Sequence, residues 1–314
     1  MMRAGPPIVS VVTPSYNKVA FIEETILSIR NQTYPHIEHI VVDGGSTDGT
    51  LDILRRYEDK LKWISEPDKG QSDAINKGWR MAKGQILAYL NADDTYMPWA
   101  VESAVRCLSD NPDAGMIYGQ CSIIDQHGQV TGQYTREDFN MKRLLCCSCF
   151  IAQPTVFIRR EVLNEVGYLD TNLYMAMDLD FWIRIALKYR VKYLTRLLAN
   201  YRFCPGTKTA DELYRNEADH LHILEKLFAN PSLPTDLRRI KRAAYANVYL
   251  MAGIHKHTVR DMKSARKHLI TALRFQPQLI LTNRWLSGYL ITTFLGSRAT
   301  DLLVGWIRRF YPPR

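Results

Sequence analysis

The chain reads as an α/β protein: a Rossmann-like, mostly parallel mixed sheet flanked by helices, followed by an all-helical C-terminal region. Three observations predict this. Short, continuous apolar runs alternate with helical patterns through the first half, as in βαβ units whose parallel strands are covered on both faces. Several of those runs stop at polar or glycine-rich turns. Beyond about Ala210 no strand pattern survives.

Ile8 to Thr13 forms the first predicted strand, and Phe21 to Ile29 carries Phe21, Ile22, Ile26 and Ile29 at helical spacing. Ile37 to Val42 is a second apolar strand, after which Thr47 or Asp48 is placed to cap a helix. Leu61 to Ser65 follows as a short strand, Ser72 to Ala82 as a helix and Ile86 to Leu90 as a fourth strand. Pro98 opens another helix and Ala114 to Gly119 makes a fifth strand. A hairpin is expected to turn at His127-Gly128, with a strand at Thr155 to Ile158 beyond it. Asp178 to Tyr189 is helical, with an apolar stripe through Phe181 and Ile185 and with Arg184 and Lys188 free to meet solvent or a carboxylate. Leu197 to Phe203 is read as an edge strand. The remaining segments, Leu213 to Phe228, Leu237 to Ile254, Met262 to Phe275, Leu279 to Leu295 and Ala299 to Arg309, are read as helices. The division implied is a domain of residues 1–209 and a basic helical region of residues 210–314. Residues 265–277 resemble one tetratricopeptide-type unit, and a single unit is not a repeat.

At 314 residues, 46% hydrophobic and 23% charged, the chain has the composition of a globular protein, which excludes a disordered or collagen-like chain and a multi-span membrane protein. Its formal charge of +9 is uneven: Asp236 to Arg314 carries +12 and the rest −3. Such a tail is attracted to polyanionic surfaces. The apolar run from Trp285 to Gly296 is shorter than the roughly 18 residues of a spanning helix, so it is read as lying in a membrane interface or packing on its neighbours. Met1 to Pro7 lacks an apolar signal core, and the six cysteines form no disulfide or zinc pattern. A reducing, cytoplasmic setting is expected, with or without contact to the inner face of a membrane.

In an open α/β sheet, ligands collect beyond the carboxyl ends of the strands. Three such ends carry polar turns: Thr13-Pro14-Ser15-Tyr16-Asn17, Asp43-Gly44-Gly45-Ser46-Thr47-Asp48-Gly49 and Asn91-Ala92-Asp93-Asp94. Asp43 also suits a turn that bonds its own backbone. The adjacent Asp93 and Asp94 repel each other unless a cation or donor-rich ligand is present, which points to a metal and diphosphate. No Gly-x-Gly-x-x-Gly follows the first strand and no P-loop occurs, so phosphate must be met by metal and side chains, with Lys69 on the same edge.

These turns, with Glu66-Pro67-Asp68-Lys69-Gly70-Gln71-Ser72-Asp73, Gln153-Pro154-Thr155 and Met177-Asp178-Leu179-Asp180-Phe181-Trp182-Ile183-Arg184, resemble the ordered signature of family 2 glycosyltransferases with the GT-A fold. The resemblance covers about two-thirds of the chain. It implies inverting transfer of a sugar from a nucleotide diphosphate donor, a UDP-sugar first among them, to an acceptor hydroxyl on a glycan or lipid-linked glycan. By the same resemblance Pro14, Tyr16, Asn17 and Asp43 hold the nucleotide, Asp93 meets the ribose and Asp94 binds Mn²⁺ or Mg²⁺. Asn91 stands where a stricter Asp-x-Asp has its first acid.

The family's base is the Asp six residues before an arginine, which fits Asp178 and Arg184. Asp180 is the runner-up for that role, but two residues along the helix it points to a different face, and it also reads as a solvated acid at the helix N-terminus. Cys204 stands where relatives place a histidine near the diphosphate, and Lys208 is its candidate replacement. No Gln-x-x-Arg-Trp element occurs, so transfer of a single sugar in cell-surface polysaccharide or glycolipid assembly is favoured. The alternatives are a nucleotidyltransferase or a non-catalytic sugar-nucleotide binder. Nucleic acid is not an expected partner, because no motif interleaves aromatic and basic residues.

Overall fold

The computed structural model describes residues 5–134, 136–147, 149–212, 216–283 and 285–294. The chain divides into two compact units: residues 1–141 with 149–213, and residues 142–148 with 214–314.

In the first unit the elements run β1 Val9–Ser15, α1 Ile22–Arg30, β2 Ile37–Asp43, α2 Thr50–Arg56, β3 Lys62–Ser65, α3 Gln71–Met81, β4 Ile86–Tyr89, β5 Thr95–Tyr96, α4 Ala100–Asp110, β6 Ala114–Ile124 and β7 Val130–Gln133. After α5 Met141–Cys146, which but for Met141 belongs to the second unit, the first unit continues with a 3₁₀ turn at Gln153–Thr155, β8 Phe157–Arg159, α6 Arg160–Val166, α7 Met177–Ala186, β9 Arg190–Arg202 and α8 Lys208–Glu212. The strands form one sheet in the order β3-β2-β1-β4-β8-β6-β9-β5, with β7 beside β6.

Strands β3, β2, β1 and β4 are mutually parallel, which brings all four of their carboxyl ends to one edge. β1 is buried along its whole length, as a strand covered on both faces must be. One apolar cluster joins Val9, Val11 and Ala88 of β1 and β4 to Ala100, Val101, Ala104, Val105 and Leu108 of α4, the spacing of a single helical stripe. Another packs Ile22 and Ile26 of α1 and Ile53 and Leu54 of α2 with Val41 of β2. Helix α3 approaches β1 at Gly78, where an added Cβ would lie 2.4 Å from Val12 Cγ1.

Several sequence expectations need correction. Leu197 to Phe203 is not an edge strand: β9 begins at Arg190 and lies between β6 and β5, its mixed exposure reflecting the register shifts of its pairing with β6. Neither Thr47 nor Asp48 is the cap residue of α2. Gly49 is, at φ +98°, with Asp48 Oδ1 accepting Thr50 N–H from one residue further out. Pro98 precedes α4 by two residues. Thr155 closes the 3₁₀ turn instead of opening β8, its hydroxyl bonded to Ala152 O. The expected hairpin is present between β6 and β7, with Asp125 Oδ1 accepting the N–H groups of His127 and Gln129.

The second unit is helical among its described residues: α9 Asn216–Ala229, α10 Thr235–Arg239, α11 Lys241–Thr258, α12 Met262–Phe275, α13 Leu279–Thr282 and α14 Leu286–Thr292. The helix expected over 237–254 is divided at Ile240, whose N–H bonds back to Leu237 O. The one expected over 279–295 is divided at Asn283, whose side chain accepts Trp285 N–H. Residues 299–309 and Leu213 lie outside the described residues. Helices α11 and α12 pair as an antiparallel hairpin, with Gly253 against Leu269 and Arg242 donating to Phe275 O. Leu286 is buried in their core, while Ile291 and Phe294 are exposed. Among the described residues no helix is long and apolar enough to cross a membrane.

Candidate active site

The turns after β1 and β2 interlock. Asn17 adopts φ +50°, a left-handed conformation that Asn tolerates better than most residues. Its N–H donates to Ser46 Oγ at 2.7 Å, and its Oδ1 accepts Thr47 N–H at 2.9 Å. Asp43 is fully buried. Its Oδ2 accepts from Gly45 N, Ser46 N and Ser65 Oγ, and its Oδ1 accepts from Ser46 Oγ at 2.5 Å. Asp43 therefore organises its own turn, as the local reading of the sequence allowed, and Oδ1 carries the less crowded lone pairs. Above it, a Cβ added at Gly44 would fall 2.6 Å from Asp68 Oδ2 and 3.4 Å from a Tyr16 ring carbon. The glycine thus opens a narrow slot between Asp68 and the exposed Tyr16 ring. Pro14 is buried at the end of β1, beyond the last β1–β4 pair, so no ladder bond is lost to its missing N–H. Lys69 projects an exposed side chain, and its main-chain N–H is held by Asp73 Oδ2.

After β4, the two adjacent carboxylates have separate partners within the chain. Lys18 Nζ meets Asp93 Oδ2 at 2.8 Å, supplying one of the cations that the sequence argument assigned to a ligand. Asp94 is fully buried; Arg202 N–H donates to its Oδ1 at 2.8 Å and Asn91 Nδ2 lies 3.2 Å from its Oδ2. Burial first, and then the Asp93 charge, raise the Asp94 carboxyl well above the usual carboxylate range. Asn91 Oδ1 in turn accepts Gln71 Nε2 at 2.7 Å, and its amide meets Gln153 Oε1.

Helix α7 is fixed against α3. Asn76 exchanges two hydrogen bonds with the backbone of Leu169, and Ser72 Oγ donates to Met177 Sδ at 2.7 Å, next to Asp178. The Asp178 carboxyl accepts Leu179 N–H; burial lifts it above the ordinary carboxylate range, opposed by that bond and by the Lys208 charge. Tyr89 links the two acidic centres: its buried hydroxyl has no hydrogen-bond partner, and burial, Asp178 and Asp94, in that order, push it well up. Lys208 Nζ donates to Tyr174 O at 2.5 Å, sits 4.2 Å from the Tyr174 ring centroid and reaches Gln71 Oε1 at 3.4 Å. A path of side chains, Lys208, Gln71 and Asn91, thereby runs from the segment after β9 to Asp94. Cys204 is buried, its carbonyl accepting Thr207 N–H and Oγ–H.

Asp180 is not the solvated acid expected. It is buried and paired with Arg184 Nε at 2.7 Å, while Arg184 also donates to the carbonyls of Val166, Gly167 and Tyr168. The i,i+4 spacing of the two was the available signal. No role is assigned from the sequence to Lys18, Gln71, Tyr89 or Arg202; Lys18 meets Asp93, Gln71 meets Asn91 and Arg202 meets Glu24, all far away in sequence.

Among the described residues, no group of three or more His, Cys, Asp or Glu is placed to hold a metal ion. The residues present nevertheless suit a divalent ion beside a diphosphate: Asp94 offers a hard, buried oxygen whose partner among the described residues is a 3.2 Å amide, and phosphate oxygens and water commonly complete such a shell.

Residues 10–167 match the Glycosyl transferase family 2 profile. This chain belongs to that family. A putative teichuronic acid biosynthesis glycosyltransferase of Bacillus subtilis, TuaG, is 30% identical over 245 residues, 71% of this chain and 93% of the relative. Among solved structures, S. aureus TarS residues 1–349 with UDP-GlcNAc superposes with a TM-score of 0.67 at 17% identity, covering 98% of this chain and 93% of that one. The mannosyltransferase PcManGT of Pyrobaculum calidifontis, with GDP-Man and Mn²⁺, superposes at 0.61 and 21% identity, covering 98% and 88%. The mixed sheet is thus the GT-A fold expected of the sequence, and the chain is a glycosyltransferase.

Proposed function

We propose that this glycosyltransferase moves a single sugar, with inversion, from a nucleotide-diphosphate sugar to an acceptor hydroxyl in cell-surface polysaccharide or glycolipid assembly. The observation that carries the proposal is the gathering of Asp43, Asp93 and Asp94 at the carboxyl edge of parallel strands, with Asp178 and Asp94 flanking one buried phenol. The likeness to TuaG supports the polysaccharide setting, and the sugar nucleotides in the TarS and PcManGT complexes support the donor class.

In this reading the slot between Tyr16, Gly44 and Asp68 takes the nucleobase over the Asp43 turn, with Pro14 and Asn17 shaping it. Asp93 meets the ribose, and Lys208 and Lys69 offset diphosphate charge. Asp94 would hold Mn²⁺ or Mg²⁺, which when bound stabilises the charge on the departing diphosphate. Asp178 takes the proton of the acceptor hydroxyl as its oxygen bonds to the anomeric carbon from the face opposite the diphosphate. The bond from that carbon to the diphosphate oxygen breaks, nucleoside diphosphate leaves, and the configuration inverts. A carboxyl lifted by burial is a better proton acceptor once ionised than an ordinary one. Residues 1–209 form the catalytic domain in this proposal. The basic region of residues 210–314 brings the enzyme to anionic membrane where a lipid-linked acceptor is found, and the setting is cytoplasmic or at the inner membrane face.

A thermal-shift panel of UDP-, dTDP- and GDP-sugars with and without Mn²⁺ tests this reading. One donor should raise the melting temperature in Mn²⁺ and not in EDTA, because a ligand bound only by the folded state stabilises it. No shift with any donor would refute it.

A further inference from the structure

Arg202, the last residue of β9, is 1% exposed. Its main-chain N–H donates to Asp94 Oδ1 at 2.8 Å. Its guanidinium donates through Nε to Asp93 O at 2.9 Å, through Nη1 to Asp125 O at 2.8 Å and through Nη2 to Glu24 Oε2 at 2.6 Å. The Phe21 ring lies 4.6 Å from Cζ. One side chain therefore gathers the entry and first turns of α1, the acidic turn after β4 and the β6–β7 hairpin around itself.

A rigid planar fork satisfies several acceptors at once, which a lysine ammonium cannot do in the same geometry. Stability alone is a weak reason for it. Desolvating a guanidinium is costly, and well-packed apolar side chains often replace a buried ion pair without loss. What an apolar side chain could not do is tie the carbonyl of Asp93 to α1 and the β6–β7 hairpin at the strand end whose main-chain N–H meets the Asp94 carboxylate.

We propose that Arg202 is a positioning residue that sets the Asp93-Asp94 turn for the donor diphosphate. Its main-chain N–H meets Asp94 Oδ1 while its guanidinium fixes the Asp93 carbonyl, so that Oδ2, whose partner among the described residues is Asn91, is the oxygen left for a divalent cation. The inference rests on the donor and metal reading given above. It adds that the affinity of that site is set in part from α1 and the β6–β7 hairpin, through a side chain that touches neither sugar nor nucleotide.

The test is isothermal titration of UDP and of GDP into the full chain, in Mn²⁺ and in EDTA, for wild type, Arg202→Lys, Asp94→Asn and the double variant, with melting temperatures measured alongside. Partners that orient metal ligands typically contribute about 10- to 100-fold in metal affinity, so Arg202→Lys should weaken nucleotide binding at least about tenfold in Mn²⁺ and leave the EDTA value unchanged. Because the guanidinium acts by setting the Asp93-Asp94 turn, and so through the placement of the Asp94 carboxylate, the double variant should bind no more weakly than Asp94→Asn. Leu54→Ala, a core truncation in α2, is the control: it should lower the melting temperature without changing the ratio of Mn²⁺ to EDTA affinities. A purely structural role for Arg202 would behave as Leu54→Ala does and overturns the inference, as would additive losses in the double variant. Should Arg202→Lys not fold, Glu24→Gln loosens the same guanidinium while leaving it in place; it should weaken Mn²⁺-supported binding by a smaller factor, and an unchanged affinity overturns the proposal. Wild type binding equally in Mn²⁺ and EDTA, or binding neither nucleotide, fails the donor and metal reading itself, a result distinct from equal Mn²⁺ affinities for wild type and variant.

Discussion

His39 provides a quantitative test of how the strands beneath the candidate site are held. It lies on β2 opposite Val11 of β1, is 6% exposed, and its Nε2 meets Thr13 Oγ1 at 3.0 Å; its Nδ1 is buried without a partner. Burial lowers its pKa from the ordinary histidine value to about 3. The unfolded chain takes up this proton near pH 6.5, whereas the folded one does not until about pH 3. Between those values the unfolded state binds more protons, so stability is full above pH 6.5 and is lost as pH falls. The loss from this group is about 1.4 kcal/mol at pH 5.5 and about 2.7 kcal/mol at pH 4.5. Urea unfolding at a series of pH values, for wild type and His39→Gln, isolates the contribution, because other titrating groups cancel in the difference. The wild-type curve should fall below that of His39→Gln by these amounts relative to their spacing at pH 8. Parallel curves would refute the reasoning, since they would mean that His39 protonates in the folded state at ordinary pH.

Other consequences are as direct. Gly78→Ala places a methyl 2.4 Å from Val12 Cγ1 and forces α3 off β1, at a cost of about 1–3 kcal/mol by denaturant unfolding; an unchanged midpoint would contradict the packing. Asp180→Asn leaves the partly buried Arg184 guanidinium without its carboxylate and should cost about 3–5 kcal/mol of stability, and a melting temperature like wild type would show the pair to be dispensable. Under the proposed role of Asp178 as base, transfer needs its ionised form and burial holds its proton on, so kcat/KM should rise with pH through an apparent pKa above the ordinary carboxylate range. A limb at the usual carboxylate pKa would contradict that role.

What the sequence disclosed follows from where the information lies. The parallel core was legible because strands buried on both faces are written as continuous apolar runs, and the site because those runs stop at Asp43 and at Asp93-Asp94. Elements with split environments were harder. β9 alternates irregularly because register shifts against β6 turn its side chains out of phase, so only its last part was read as strand, and as an edge. The break at Ile240 rests on a local change of backbone bonding with no proline or glycine to mark it. Asp180 looked like any acid at a helix start until its pairing with Arg184 was seen. The side chains that join the turns were out of reach for a simpler reason: Arg202 bonds Glu24 across 178 residues and Lys208 meets Gln71 across 137, and no local pattern encodes such partners.

Asp178 is proposed as the proton acceptor opposite a departing diphosphate. Incubation of the full chain with its donor sugar nucleotide, acceptor and Mn²⁺ should release nucleoside diphosphate with inverted product, and Asp178→Asn should reduce turnover by about 10²- to 10⁴-fold while donor affinity is retained. Release of pyrophosphate, or turnover by Asp178→Asn at the wild-type rate, would contradict it.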